Sequence, residues 1–462
     1  MYTTPQKTKK YIKKALADNL LRTAVDKATS SSLLTRKILV DQMPYWEELR
    51  LKAHAIKKDV MENLAEYLEI FESNCNQNGI TVHWASDEHE ARDIILKLCQ
   101  DNHVKKIVKS KSLTTEEIHL NDTLIKNNIT TLETDLGEYI VQLNEQIPSH
   151  LIIPAMHLSR GDVGKLFAEK LGVPYTEDPI ELLRIARARL RENFLTADMG
   201  ISGANFGIAK SGSFCIVENE ANAHLTISLP RIHVAVMGIE KLIPDIQSLP
   251  YFLKLLPVSA TSQKSSTYVN FVGGVPNNRY GEGPESVHII LLDNGRSEIL
   301  NDPHLRETLF CIRCGACLNA CPVYQLTGGH AYGWVYMGPI GITLIPQFLG
   351  EVEGKHAPYL SSLCGACFEA CPMRINIPHH LLNLRNRVVE KNQTKKIEKM
   401  VMSIWAYAIN RPKLYRLLSQ IPAKLQQLLP KNVSFPAPGY TKERALGRFD
   451  AKGFRKRFIE MD

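Results

Sequence analysis

Cys311-Ile-Arg-Cys314-Gly-Ala-Cys317-Leu-Asn-Ala-Cys321-Pro322 and Ser361-Ser-Leu-Cys364-Gly-Ala-Cys367-Phe-Glu-Ala-Cys371-Pro372 are two copies of one frame. The first is a full C-x2-C-x2-C-x3-C-P run; the second has serine in the opening slot. This is the ligand spacing of paired iron–sulfur clusters, in which three cysteines wrap one cluster and the fourth crosses to the other. That rule assigns Cys311, Cys314, Cys317 and Cys371 to one [4Fe–4S] site, and Cys364, Cys367 and Cys321 to a second that lacks one protein thiolate. The crossing lays the two motifs side by side, close enough for electrons to hop between them. The proline after each fourth cysteine turns the chain away. Zinc is the lesser alternative, since zinc sites use two separated cysteine pairs. A disulfide framework is weaker still, because nothing marks the chain as secreted. The other three cysteines, Cys75, Cys99 and Cys215, stand in apolar surroundings and read as small core residues.

Ser361 leaves two readings open. The second site is completed by a weak oxygen ligand, by water or as a [3Fe–4S] form, or else its open iron acts as a Lewis acid toward a hydroxyacid. The first is the expectation, because a relay needs no substrate contact.

Working outward, 462 residues suggest about three domains with real cores. Hydrophobic content of 44% and charged content of 23% are those of an ordinary soluble protein. The N-terminus is basic with no apolar stretch behind it, which argues against a signal peptide. No run of 18 apolar residues occurs, so no membrane helix is expected, and the expected compartment is the cytoplasm, where thiols stay reduced. Residues 1–60 carry 13 Lys/Arg against 6 Asp/Glu, and residues 374–462 carry 19 against 6. With a net charge of +8, an acidic middle lies between basic ends. Such ends suit solvated helix faces, an acidic partner or peripheral contact with anionic lipid. Nucleic acid is not expected: there is no reading motif and no aromatic–basic interleaving.

The N-terminal segment reads as helical, with a basic amphipathic stretch at 7–27 and a helix from Tyr45 to Cys75. From residue 80 strands and helices alternate. Strands are expected at Ile80–Ala85, Val104–Lys109, Ile129–Leu132 and Leu151–Pro154, with helices at Glu88–Cys99, Thr114–Lys126, Asp162–Leu171 and Pro179–Phe194. That rhythm argues for a mostly parallel α/β sheet. Phe206–Ala209 and Ser213–Val217 form a hairpin about Lys210-Ser211-Gly212. His224–Leu229, His233–Met237 and Val287–Leu292 read as further strands, with a helix start at Gly238. After the cysteine region come helices at Pro378–Glu390 and Ile397–Gln420, then a loosely held tail.

Several stretches together resemble the lactate utilization protein B family: Gly200-Ile-Ser-Gly-Ala-Asn-Phe206, Ala235-Val-Met-Gly-Ile-Glu-Lys241, Asp293-Asn-Gly-Arg-Ser297, the two cysteine motifs, Gly328-Gly-His330 and Gly338-Pro-Ile-Gly341. The resemblance runs over nearly the whole chain. That family also has three cysteines in its second motif. One departure is Ala221, where the family leads one to expect glycine; a methyl group there restricts the turn. The resemblance implies an α/β LUD domain similar to the NagB/RpiA/CoA-transferase group, an α-helical two-cluster ferredoxin-like domain, and helical termini. The implied boundaries are 1–69, 70–295, 300–390 and 391–462. It further implies an electron-transfer role in oxidising L-lactate to pyruvate, beside a LutA-like cysteine-rich iron–sulfur protein and a LutC-like LUD protein.

No G-x-G-x-x-G follows a strand, so no NAD or flavin fingerprint is seen, and the centre that attacks lactate is not visible in this sequence. The expected ligand positions are Asp198, Ser202, Asn205, Lys210, Glu218, Asn219 and Glu220, polar groups near strand ends, and Lys109-Ser-Lys111-Ser112, which precedes a helix start. Each taken singly is as well explained by capping or backbone pairing. His330 and His356 read as structural. The alternatives to an electron-transfer subunit are a stand-alone LUD enzyme acting on an acyl or phosphorylated substrate, or a redox-sensing binding module.

Overall fold

The computed structural model describes residues 4–275, 283–394, 396–426, 447 and 457–459. Four helices lead the chain: α1 (Pro5–Ala17), α2 (Asn19–Asp41), α3 (Trp46–Glu62) and α4 (Leu64–Gln77). Thr4 and Asp18 cap the first two, their side-chain oxygens accepting from Lys7 N and Leu21 N. The expected single helix over Tyr45–Cys75 is two, broken at Asn63, whose side-chain amide donates back to the Asp59 carbonyl at 3.0 Å.

Ten strands follow: β1 (Ile80–Ala85), β2 (Lys106–Lys109), β3 (Thr130–Glu133), β4 (Met199–Gly203), β5 (Phe206–Ile208), β6 (Ser213–Glu218), β7 (Ile232–Gly238), β8 (Leu242–Ile243), β9 (Tyr268–Val272) and β10 (Ser286–Leu292). Six make a parallel sheet in the order β1-β10-β7-β4-β2-β3. All seven residues of β7 are buried, as expected for a parallel strand covered on both faces. The other four form a mixed sheet, β8-β5-β6-β9. The expected β5–β6 hairpin is present, turning through Ala209–Ser211 to Gly212 at φ +56°. A Cβ on Gly212 would meet the Asn74 carbonyl carbon at 2.2 Å, so this turn packs against α4 only as glycine.

Other expectations are corrected. His224–Leu229 lies in a helix, Asn222–Ser228, because the Glu218 carboxylate accepts from the amides of Ala223 and His224 and opens a helical turn there. Leu151–Pro154 is irregular: the His150 ring accepts from the amides of Ile152 and Ile153, and Lys111 donates to the Ile152 carbonyl, so side chains take the bonds a strand would use. The helix expected at 114–126 is two short ones, Leu113–Glu117 and Leu120–Lys126, separated by left-handed His119. Gly238 leads into one 3₁₀ turn, Ile239–Lys241, and then β8.

The cysteine region is built of short helices, among them Ala316–Asn319, Pro322–Thr327, Gly338–Phe348 and Ala366–Ala370. It shares one apolar core with the N-terminal helices and the mixed sheet. A second core fills the space between the parallel sheet and its flanking helices. Residues 387–462 form a separate unit. Within it the helix expected at 397–420 is two, Lys396–Ile409 and Pro412–Leu425, since Arg411 before proline is turned away from helical geometry. The expected loose tail falls largely on residues outside those described. No helix among the described residues is long and apolar enough to cross a membrane.

Candidate functional site

The two cysteine loops repeat one backbone device. In the first, Arg313 and Gly315 are left-handed (φ +61° and +75°) and a helix starts at Ala316. In the second, Leu363 and Gly365 are left-handed (φ +56° and +87°) and a helix starts at Ala366. Each non-glycine residue held so costs about 1–2 kcal/mol. The return is that amides turn toward sulfur: Arg313 N–H donates to Cys311 Sγ at 3.4 Å, and Ile375 N–H to Cys371 Sγ at 3.5 Å.

Cys311, Cys314, Cys317 and Cys371 line one small hollow, walled by Ile312, Ile340, Met373, Ile375 and Ile377. Burial pushes the Cys314 thiol up to about 12, Cys371 up to about 11 and Cys317 well above its ordinary value. Burial favours the protonated thiol, and binding a metal centre would release those protons. Among the described residues no three His, Cys, Asp or Glu side chains converge as they would on a single ion. Four thiols from two loops in an apolar wall, met by backbone N–H groups, suit the wider iron–sulfur core. The hollow is small, about 20 Å3.

Cys321, Cys364 and Cys367 make the second group, each close enough to another to influence its titration. Cys364 is exposed, and hydrogen bonds from the Ala366 amide and the Ser362 side chain lower its thiol. The Tyr332 hydroxyl reaches Cys321. The Ser361 hydroxyl accepts from the Leu363 amide at 3.1 Å and so already has a role in the turn. The N-terminal helices brace this motif. Arg36 donates to the Ala370 carbonyl at 2.9 Å, Arg50 to the Cys371 carbonyl at 2.8 and 3.0 Å, and the His54 ring meets the Met373 carbonyl at 2.9 Å.

Beside the first group lies a buried charge network. Arg296 forks onto both Glu117 oxygens at 2.9 Å and reaches Glu240 at 2.6 Å; Tyr336 donates to Glu117 at 2.6 Å. Glu240 in turn lies 3.7 Å from Arg313, whose guanidinium sits over the Tyr336 ring. Burial alone would raise the Glu240 carboxyl, but Arg296, then Lys241, Arg313 and Lys57, carry it down to about 2. Buried Lys57, lowered to about 7 by desolvation, donates to the Glu240 and Leu242 carbonyls.

Arg313 and Ile312 also line a second, larger cavity: a cleft of about 500 Å3 over the carboxyl ends of β2, β3, β4 and β7. Of the residues singled out in the sequence, Ser110, Lys111, Ser112, Asn205, Glu218, Asn219 and Glu220 line it. Others do not. Lys109 is buried in ion pairs with Glu133 (2.7 Å) and Glu116 (3.0 Å). Asp198 accepts from the amides of Lys105 and Lys106; Ser202 meets the His233 ring; Lys210 pairs with Asp245. His330 and His356 meet the Ile147 carbonyl and the Thr8 hydroxyl. Cys75, Cys99 and Cys215 are buried, each thiol pushed up to about 12 by desolvation. Ala221, at the mouth of the Asn222–Ser228 helix, is left-handed at φ +61°, the geometry for which glycine was expected.

The chain is 40% identical over 407 residues to the lactate utilization protein B of Bacillus cereus (strain AH820), covering 88% of this chain and 86% of that one. The same figures hold for the proteins of that name from Bacillus thuringiensis (strain Al Hakam) and Bacillus anthracis (strain A0248). This chain belongs to the lactate utilization protein B family. Residues 68–292 match the LUD domain, residues 307–375 the 4Fe-4S dicluster domain, and residues 383–461 the C-terminal region of lactate utilisation protein B. A crystal structure of a duf162 family protein from Deinococcus radiodurans aligns with 50% of this chain and 98% of its own at 12% identity, with a TM-score of 0.28, too slight a likeness to carry a structural argument. In this member of the lactate utilization protein B family, the cleft residues that sequence reading missed are Asp135, Lys241, Arg313 and Tyr336. Their only sequence signal was position: the first two follow strand ends, Arg313 lies inside the first cysteine motif and Tyr336 in the insert between the two motifs.

Proposed function

We propose that this chain is the iron–sulfur electron-transfer subunit of an L-lactate-oxidising complex. One observation carries the reading: four cysteines from two motifs share a dry hollow that adjoins a cleft through Ile312 and Arg313. Cys311, Cys314, Cys317 and Cys371 hold one [4Fe–4S] cluster. Cys321, Cys364 and Cys367 hold a second, completed by a non-cysteine ligand or present as [3Fe–4S]. When bound, such clusters each carry a single electron, so two suit the pair released as lactate becomes pyruvate. The chain's own residues set the conditions. Arg36 and Arg50 place positive charge near Cys371, which favours the reduced state. Trp334, Tyr336 and Phe348 pack together as an aromatic wall in the core shared with the cysteines. Cys364, exposed, marks the second cluster as the face for exchange with a partner.

Family membership supports a place in lactate utilization, with a LutA-like and a LutC-like protein as partners, cytoplasmic, and with any membrane contact peripheral. It also supports a NagB/RpiA/CoA-transferase-like LUD domain at 70–295 and a two-cluster domain at 300–390, flanked by helical segments at 1–69 and 391–462. The test is anaerobic reconstitution with both partners, followed by electron paramagnetic resonance (EPR) during lactate addition. Cluster reduction by lactate only with the partners present supports the proposal. Lactate turnover by the isolated chain would refute it.

The size of the cleft favours a second reading, a LUD domain that binds its own substrate. Turnover of an acyl or phosphorylated compound without partners would establish it.

A further inference from the structure

Three cationic or hydroxyl groups around the cleft have no acceptor. Arg313 is over nine-tenths buried and its Nη1 has no hydrogen-bond partner. Ser110 is 2% exposed and its Oγ is likewise unpartnered. Lys241 is half-buried and near enough to Glu240 to feel its charge, but its ammonium makes no hydrogen bond among the described residues. A buried donor left unmet is unfavourable, which applies to Arg313 and Ser110, while Lys241 opens onto the cleft. Together they make a built demand for negative charge and acceptor oxygens. Glu240 holds Arg296 through Oε2, and its Oε1, itself without a hydrogen-bond partner, stands 3.7 Å from Arg313 Nη2, which offsets part of the charge but leaves Nη1 unmet.

The opposite lip has the reverse character. Asp135, just past β3, accepts from the Glu138 amide at 3.0 Å; Glu220, just past β6, accepts from the Leu136 amide at 3.2 Å. Each carboxylate keeps lone pairs free for further donors. In the parallel sheet β7, which leads to Lys241, and β3, which leads to Asp135, are separated by β4 and β2. Three strand spacings of about 4.8 Å put the two ends roughly 14 Å apart. A three-carbon acid spans one end only, and a cavity of about 500 Å3 falls in the range that encloses a much larger ligand.

We propose that this cleft binds an elongated, hydroxylated organic anion, its carboxylate or phosphate head at Lys241 and Arg313 and its hydroxyls donating to Asp135 and Glu220. Arg313 lies between Cys311 and Cys314, so the head group sits one side chain away from the first cysteine group. Binding there adds negative charge next to that group and is read by it.

The test uses the iron-loaded full chain under anaerobic conditions, with calorimetry as the first readout. Gluconate, an open chain with a carboxylate head, and glucose 6-phosphate, a sugar ring with a phosphate head, are the probes, both polyhydroxylated; L-lactate and inorganic phosphate are the short controls. At least one long probe is expected to bind saturably and at least tenfold tighter than the short anion with the same head. Lys241→Gln weakens it tenfold or more, and Lys241→Arg restores it. Glu220→Gln weakens the long probe and leaves the short anion unchanged. The EPR spectrum of the reduced protein shifts on binding in the wild type and not in Lys241→Gln. Which long probe binds identifies the head group. The inference is overturned if neither long probe outbinds its short control, or if Lys241→Gln binds as the wild type does. Because binding is measured without partners or turnover, the outcome is independent of whether lactate reduces the clusters.

Discussion

Arg296→Met tests whether the buried charge network holds the LUD region to the first cysteine loop. Arg296 is 1% exposed and makes three bonds to carboxylates, two to Glu117 and one to Glu240, plus one to the Asp293 carbonyl at 2.9 Å. Methionine keeps much of the volume against Phe348, so the loss is electrostatic. Glu117 is then buried without its cation, and Glu240 loses its closest one and keeps only Arg313 at 3.7 Å and the nearby Lys241 and Lys57. Breaking a buried pair by removing one partner costs about 3–5 kcal/mol, a large share of a typical stability of about 5–15 kcal/mol. With a urea dependence near the upper end for small proteins, about 3 kcal/mol per molar, the midpoint falls by roughly 1–1.7 M. Urea titration followed by tryptophan fluorescence reads it, since Trp334 lies 5.1 Å from Tyr336 and 5.7 Å from Phe348, ring to ring. Neutralising both acids as well, in Arg296→Met/Glu117→Gln/Glu240→Gln, removes the uncompensated charge and is expected to recover part of the loss. A single variant within about 1 kcal/mol of wild type, or a triple variant no more stable than the single, would show that the network carries no such weight.

Cys371→Ser changes the second motif yet is expected to cost the cluster bound by the first; iron and sulfide assays with EPR should show loss of one cluster, and loss of the one held by Cys364 and Cys367 would refute the crossing. Ala221→Gly relieves a left-handed alanine costing about 1–2 kcal/mol, partly offset by the greater freedom of glycine when unfolded. A net gain of roughly 0.5–1 kcal/mol in denaturant titration is expected, and a loss would contradict the turn geometry. Glu240 is depressed in the fold to about 2 from 4.5. Its contribution is therefore complete above pH 4.5 and is lost as pH falls toward 2, an effect of about 3 kcal/mol. Glu240→Gln should flatten that acid limb of the stability profile, and parallel wild-type and variant curves would count against it.

How much was legible in the sequence depended on how local each determinant was. The cysteine frames, the β5–β6 hairpin and the strand at Ile80–Ala85 follow from spacing and periodicity within a dozen residues. His224–Leu229 misled because Thr226 and Ile227 favour strands, while the deciding group is a carboxylate at Glu218, set by the end of β6. Leu151–Pro154 misled for the same reason: its apolar residues fit a strand, but His150 and Lys111 capture its backbone. The cleft was half legible. Polar residues after β4 and β6 could be guessed from the rule that ligands gather at strand ends. Lys241 and Arg313 reach the same cleft by the crossover order of the sheet and the return of the cysteine loop, which no spacing encodes.

Arg36 and Arg50 grasp carbonyls 334 and 321 residues further along the chain. During synthesis at about 5–20 residues per second, these helices emerge roughly a quarter of a minute to a minute before the segment they clasp exists. Closing so long a loop is slow and comes late. Helices α2 and α3 must therefore hold Arg36 and Arg50 without these carbonyls until the ribosome has delivered the second cysteine run. A nascent chain stalled before residue 371 is thus the form most in need of a chaperone.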